Sequence, residues 1–336
     1  MSLTLTVRRD AMRLAEPFRI SGYLFEAMPA IVVTLSDGRF SGRGEAAGVY
    51  YLGDDPAHME QEIERCRAAI EAGVDRRELA ALLPAGGARN AVDCALWELE
   101  SHRAGVPVWA LAGSPEPRPL VTTFTIPADD PAEVARRLAP LAGARAIKLK
   151  LTGDLAPDAE RIRAVRRLRP TVWLGVDANQ GYGPDTLDRL IAVLVDERVS
   201  LLEQPIRRGE EAMLMGYASP VPIAADESIL DLAELRERHA AFDVINIKLD
   251  KCGGLTEGLA MAHEARRLGK KVMVGNMAGS VLATAPAFVL GQFCDVVDLD
   301  GPYFLADDPW AAKIYADGRI MVPAGAWGEP AAAAAA

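Results

Sequence analysis

At 336 residues, half of them hydrophobic, the chain has material for one large domain or two ordinary ones. A formal net charge of −10 argues against nucleic acid or an anionic membrane as the main partner, and no apolar run is long enough to cross a bilayer. Cys66, Cys94, Cys252 and Cys294 stand apart without paired spacing, and MSLTLTVRRD has no apolar signal core, so free thiols and a cytoplasmic location are expected.

Residues 1–45 alternate as strands do. Ala30-Ile31-Val32-Val33-Thr34-Leu35 runs into Asp37-Gly38, a hairpin dipeptide, and then Gly42-Arg43-Gly44-Glu45. Arg19-Ile20-Ser21-Gly22-Tyr23-Leu24-Phe25-Glu26 fits neither period and is expected to be a loop. From Asp55 to about Gly113 the spacing turns helical, with Ala91, Cys94, Ala95, Trp97 and Leu99 in an alanine-rich segment. Residues 1–115 thus predict an α+β domain, closed by Pro115-Glu116-Pro117-Arg118-Pro119. The six alanines at 331–336 are low complexity and carry no reading.

Beyond that boundary, short β-branched runs recur at 121–126, 146–151, 172–177, 200–204, 221–225, 243–249, 271–275 and 295–299. Helical stretches such as Asp158–Leu168, Asp185–Asp196, Leu232–His239 and Leu255–Leu268 lie between them. Strands separated by helices mean βα units and a parallel sheet, and eight of them predict a closed TIM-type barrel over 116–304. A doubly wound open sheet usually carries a Gly-rich phosphate turn after its first strand, which is missing here.

Charged residues close these strands one after another: Lys150, Asp177, Glu203, Asp226, Lys248, and finally Asp298-Leu299-Asp300. In a barrel those C-terminal ends form one rim, where such enzymes do their chemistry. Asp177, Glu203 and Asp226 offer three hard oxygen ligands without His or Cys, which suits one Mg²⁺ per subunit. Lys148 and Lys150 share a strand face, so one of the two ammonium groups should have a depressed pKa. Lys150 and Lys248, from the second and sixth strands, face each other across the barrel mouth; Lys251 is the alternative to Lys248, one turn into the loop. No histidine ends a strand. A substrate carboxylate on Mg²⁺ loses its α-proton readily because the metal stabilises the enediolate. Two opposed lysines then give racemisation or epimerisation, whereas one alone could serve β-elimination or lactonisation.

The pieces AIKLKL, VDANQGY, LLEQP, AADES and NIKLDKCGG, with GRGEAAG and ARNAVDCALWELESHRAGVP before them, resemble the enolase superfamily and its muconate-lactonising subgroup. The resemblance covers nearly the whole chain. It implies a (β/α)7β barrel under an N-terminal α+β capping domain, to which 305–330 returns. It also implies metal on Asp177, Glu203 and Asp226, and Lys150 and Lys248 as the acid/base pair.

Within the subgroup, DLDGP at 298–302 points to the dipeptide epimerases, where a DxD holds the substrate's α-amino group. Two carboxylates near one point attract an ammonium. N-acylamino acid racemase and o-succinylbenzoate synthase or cycloisomerase are the alternatives, with substrates that offer no cation. A non-catalytic binding barrel should lack at least one of the three acids or two lysines. The expected substrate contacts are Asp298, Asp300, Lys148, Thr125, Tyr23 and Arg19, the partner is a small dipeptide, and a homo-oligomer is expected.

Members acting on Ala-Glu carry an arginine in the early loop, by the same resemblance. Here PFRISGY has Tyr23 in that place with Arg19 four residues earlier, and MAGS has Gly279 where the family often has Glu. Tyr23, Leu24, Phe25 and Met28 are expected to wall the mouth and to favour an apolar or aromatic second residue.

Overall fold

The computed structural model describes residues 2–20 and 23–330. Three antiparallel strands open the chain: β1 (Thr4–Ile20), β2 (Tyr23–Ser36) and β3 (Ser41–Ala46). Helices α1 (Pro56–Gly73), α2 (Arg76–Leu82), α3 (Gly87–Ala104) and α4 (Val108–Leu111) follow. Asp55 caps α1 through the amides of Ala57 and His58, and Asp75 with Glu78 forms a capping box on α2. The sheet and α3 enclose a core of their own that includes Leu5, Ile31, Val33, Leu35, Ile63 and Leu99.

The expected loop at 19–26 is instead the end of a long hairpin. Phe18 pairs with Phe25, Arg19 with Leu24 and Ile20 with Tyr23. A register irregularity between Arg13 and Phe18 breaks the alternation, and much of this ribbon is exposed on both faces, so no apolar period marks it as strand. Ser21 and Gly22, and the side chains of Arg19 and Tyr23, lie outside the described residues.

After the short β4 (Leu120–Val121) come eight parallel strands: β5 (Thr123–Ile126), β6 (Ala146–Lys150), β7 (Trp173–Asp177), β8 (Leu201–Glu203), β9 (Ile223–Ala225), β10 (Val244–Lys248), β11 (Lys271–Gly275) and β12 (Val296–Asp298). They pair in sequence order. Helices α5 (Val134–Leu138), α6 (Leu155–Leu168), α7 (Pro184–Asp196), α8 (Leu232–Arg238), α9 (Leu249–Cys252), α10 (Leu255–Arg267) and α11 (Val281–Gly291) are interspersed. β6 and β10 are buried along their whole length, the lysines and Asn246 included, and their branched apolar residues make 146–151 and 243–249 stand out in the sequence. Leu201, Ala224, Val244 and Met273 fill the barrel below the rim.

The barrel seam lies between β12 and β5, and side chains tie it. Leu299 N donates to Thr122 Oγ1 at 2.9 Å, Thr125 N donates to Asp300 Oδ2 at 2.6 Å, and Thr123 Oγ1 donates to Asp298. The structure is thus the nearly closed barrel with an N-terminal strand-rich domain that the sequence predicts.

The N-terminal helix α3 sits directly on the turn after Lys248. Arg89 Nη2 donates to Cys252 O at 2.5 Å, Asp93 accepts from Thr256 N at 3.0 Å, and Trp97 Nε1 donates to Thr256 Oγ1 at 3.0 Å. Gly253 and Gly254, at φ +83° and +116°, make this approach possible; a Cβ on either would collide with Arg89 or Asp93. Past α12 (Ala311–Ile314), β13 (Tyr315–Ala316) and β14 (Arg319–Ile320), the chain runs back along α3, where Gly328 N meets Glu98 Oε1 at 3.2 Å and Trp327 Nε1 donates to Arg43 O at 2.8 Å. No helix among the described residues is long and apolar enough to cross a membrane.

Candidate active site

Asp177, Glu203 and Asp226 stand at or just past the ends of β7, β8 and β9, all buried, with ligand oxygens within 4.8 Å of one another. Each is oriented by neighbours. Asn179 N donates to Asp177 Oδ1 at 2.9 Å, and Asn246 Nδ2 donates to Glu203 Oε1 at 2.8 Å. Gln204, in the left-handed region at φ +38°, turns its amide under β9 so that Oε1 accepts from Asp226 N at 2.9 Å and Ser228 N at 3.1 Å. Three converging carboxylates repel one another, so the cluster is matched chemically to a hard divalent cation.

Four lysines surround the triad. Lys150 Nζ lies 2.6 Å from Asp177 Oδ2, and Lys248 Nζ 2.6 Å from Asp226 Oδ2. Lys148 Nζ reaches Glu203 Oε2 at 2.7 Å, Asp298 Oδ2 at 2.8 Å and Asp177 Oδ2 at 3.1 Å. Lys251 is buried and spends its hydrogens on Asp226 Oδ1 at 2.7 Å and on the carbonyls of Asp226, Ile229 and Asn246. It braces Asp226 and is absent from the cavity lining, unlike Lys248.

These charges shape each other's protonation. Burial pushes Asp177 up, but the ammonium groups of Lys150 and Lys148 outweigh it and hold the carboxyl near 2. Asp226 is likewise kept well below the usual carboxylate range by Lys248 and Lys251, against its burial. Glu203 goes up, from burial and the charge of Asp177. The expectation of a depressed pKa in the Lys148–Lys150 pair fails at Lys148. Burial works in that direction, but Asp298, Glu203 and Asp177 surround the ammonium and raise its pKa well above normal. The sequence places like charges two residues apart; it does not show three carboxylates converging on one of them.

The cavity over the triad is lined by Thr125, Lys148, Lys150, Lys248, Asp298 and Asp300, together with Phe18, Phe25, Met28, Tyr50, Tyr51 and Phe304. Asp300 lies past the end of β12, so the alternation of a strand does not set its direction; the chain turns there, and both carboxylates line the cavity. Asp298 is bonded to Lys148 and Thr123, and its pKa stays low against burial because of Lys148. Asp300 is pushed up to about 7 by burial and by Asp298.

Phe25 and Met28 stand in the cavity wall, whereas Leu24 is 51% exposed and does not line it. Strand alternation sends Leu24 to the opposite face from Phe25. Tyr50, Tyr51, Asn179 and Glu227 also line the cavity and escaped the sequence reading. The tyrosines follow GRGEAAG in a stretch without period. Asn179 and Glu227 sit inside VDANQGY and AADES, each beside an acid that drew the attention.

A capped eight-stranded barrel with acids and lysines at its C-terminal rim defines a class of enzymes that take a proton from a carbon next to a carboxylate. The chain belongs to the mandelate racemase/muconate lactonizing enzyme family: residues 2–113 match its N-terminal domain, and 130–326 match the enolase C-terminal domain-like barrel. Over 319 residues it is 35% identical to the L-Ala-D/L-Glu epimerase of Escherichia coli (strain K12), covering 94% of this chain and 99% of that one. A crystal structure of an enolase family member from Agrobacterium tumefaciens with homology to dipeptide epimerases, holding sodium and L-Ala-L-Glu, is 37% identical, with a TM-score of 0.89 over 98% of both chains. The dipeptide epimerase from Methylococcus capsulatus, complexed with Mg and L-Arg-D-Lys, is 31% identical, with a TM-score of 0.88 over 96% of this chain and 98% of that one.

Proposed function

We propose that this protein is a Mg²⁺-dependent dipeptide epimerase, which inverts the α-carbon of a dipeptide's C-terminal residue by moving protons between that carbon and Lys150 and Lys248. The observation that carries the reading is the placement of those two lysines on different members of one carboxylate triad, Lys150 on Asp177 and Lys248 on Asp226. The names of the relatives support the substrate class. Residues 1–115, joined by 305–330, act as the cap in this reading, and 116–304 as the catalytic barrel.

Asp177, Glu203 and Asp226 hold the cation, which when bound polarises the substrate carboxylate and offsets the charge that develops as the α-proton leaves. One lysine must meet the substrate neutral and the other protonated. The roles exchange for the other epimer. Asp226 favours the charged form of Lys248, against its burial. Asp298 and Asp300 receive the substrate ammonium. Because Asp298 is already tied to Lys148, Asp300 takes the larger share. Tyr50 and Tyr51 roof the site from the cap and exclude water from the reacting carbon.

Exhaustive dialysis against EDTA should abolish epimerisation of an L,L-dipeptide, and Mg²⁺ should restore it. N-acetylated dipeptides, with no ammonium for Asp300, should be poor substrates. Full activity without metal, or a preference for the acetylated form, contradicts the reading.

A further inference from the structure

Two acceptors beside the triad have no task in the chemistry above. Glu227 directly follows Asp226, and Asn179 lies two residues after Asp177; both line the cavity. Glu227 is only 4% exposed. Asn179 Nδ2 donates to Glu227 Oε1 at 3.3 Å, which orients the amide and leaves Asn179 Oδ1 and Glu227 Oε2 as the outstanding acceptors. Both atoms are buried, and neither has a hydrogen-bond partner among the described residues. Asn179 adopts φ +41°, a left-handed conformation that asparagine tolerates well, with its amide anchored on Asp177 Oδ1 and the next amide on Gln204 O.

The chemistry of the missing partner follows from its neighbours. It must give hydrogens to two acceptors and, beside the triad, turn a lone pair toward a cation. A substrate carboxylate has no hydrogen to give to Asn179 Oδ1 or Glu227 Oε2. An ammonium has hydrogens but no lone pair. Water has both. We propose that Glu227 and Asn179 form the cradle for a water ligand of the metal ion, an inference that rests on reading the triad as a Mg²⁺ site. Mg²⁺ sheds its waters reluctantly and keeps some in protein sites, and groups that orient metal ligands typically set affinity by tenfold to a hundredfold.

The test measures binding of MgCl₂ alone by titration calorimetry, with no dipeptide present. Glu227→Gln and Asn179→Gly should each weaken Mg²⁺ binding roughly tenfold to a hundredfold. Glycine fits φ +41° without strain and changes no charge, so a loss in Asn179→Gly reports the acceptor itself. Asn179→Asp, which keeps an acceptor, should bind about tenfold or more tightly than Asn179→Gly. Thermal unfolding in EDTA checks that each variant is folded. Asn179→Gly binding within about twofold of the parent, or matching Asn179→Asp, overturns the cradle. A parent that binds no Mg²⁺, or a Glu203→Gln variant that binds it unchanged, instead defeats the triad reading beneath it.

Discussion

Lys148 Nζ lies 2.8 Å from Asp298 Oδ2 and within 3.1 Å of Asp177 and Glu203, so one buried ammonium joins the carboxylate triad to Asp298 in the cavity wall. Its position beside Lys150 in the strand therefore serves a different purpose from a base. Lys148 neutralises acids that would otherwise be buried without a counter-charge.

Removing one partner of a buried ion pair costs about 3–5 kcal/mol, and Lys148→Met should lower the stability of the metal-free protein by that order. A dication would then meet the triad with one repelling neighbour fewer. Mg²⁺ should raise the melting temperature of Lys148→Met more than that of the parent. Calorimetric scans with EDTA and with Mg²⁺ measure both.

Asp300 should make substrate binding pH-dependent. Its carboxyl is pushed up to about 7 by burial and Asp298, so it becomes neutral below that pH and its attraction for the substrate ammonium weakens. The free α-amino group stays charged up to about pH 7.7–8.0. KM should therefore be lowest in the narrow window between these values and rise as pH falls below 7. Asp300→Asn should lower kcat/KM by roughly tenfold to a hundredfold, the equivalent of a charge-assisted contact, and should remove the rise of KM at low pH. Asp298→Asn should have the smaller effect on KM.

The joint between cap and barrel predicts a stability change with pH. Asp250, two residues after Lys248 in sequence, accepts from Gly48 N at 3.0 Å in the loop that leads to Tyr50 and Tyr51. Burial and the nearby Asp54 raise its pKa from 3.8 to about 7. The folded state thus holds the proton more tightly than the unfolded chain, so this group's favourable contribution is complete below pH 3.8 and is lost as pH rises toward 7. Asp250→Asn keeps an acceptor for Gly48 without the charge. Between pH 5 and pH 8 the metal-free variant should lose less stability than the parent, by on the order of 2–4 kcal/mol, measured by urea unfolding.

The strand-end charges were legible because a βα repeat puts every functional residue at the same phase, directly after an apolar run. Lys150, Asp177, Glu203 and Lys248 could be located from that phase alone. The far end of the β1–β2 hairpin, at 19–26, was not, since a ribbon tip without apolar alternation has nothing to betray it. Gln204 and Asn246 were hidden for another reason: Gln204 acts on Asp226 past the end of the adjacent β9, Asn246 reaches from β10 to Glu203 two strands away on β8, and such contacts leave no local mark. Tyr50 and Tyr51 reach the cavity from a different domain segment, a relationship that only the docked cap reveals.

Specificity follows from the wall. Phe18, Phe25, Met28 and Phe304 present apolar surface to the cavity, and its cations among the described residues, Lys148, Lys150 and Lys248, are each paired with a carboxylate. A Glu side chain entering there would leave its charge unpaired, at a cost of several kcal/mol, well above the 1–3 kcal/mol a better apolar fit supplies. L-Ala-L-Phe should be turned over with a higher kcat/KM than L-Ala-L-Glu. A clear preference for Glu would place the Arg19 side chain in the cavity.

The two-lysine proton transfer is tested most directly by proton NMR in D₂O, following the α-hydrogen of the C-terminal residue of L-Ala-L-Phe and L-Ala-D-Phe with Mg²⁺ present. The parent should interconvert the two epimers and place deuterium at that carbon. Lys150→Ala and Lys248→Ala should each abolish interconversion, and any exchange that survives in either variant should be confined to one epimer, a different one for each lysine. Normal epimerisation by either variant would contradict the assignment of one lysine to each face.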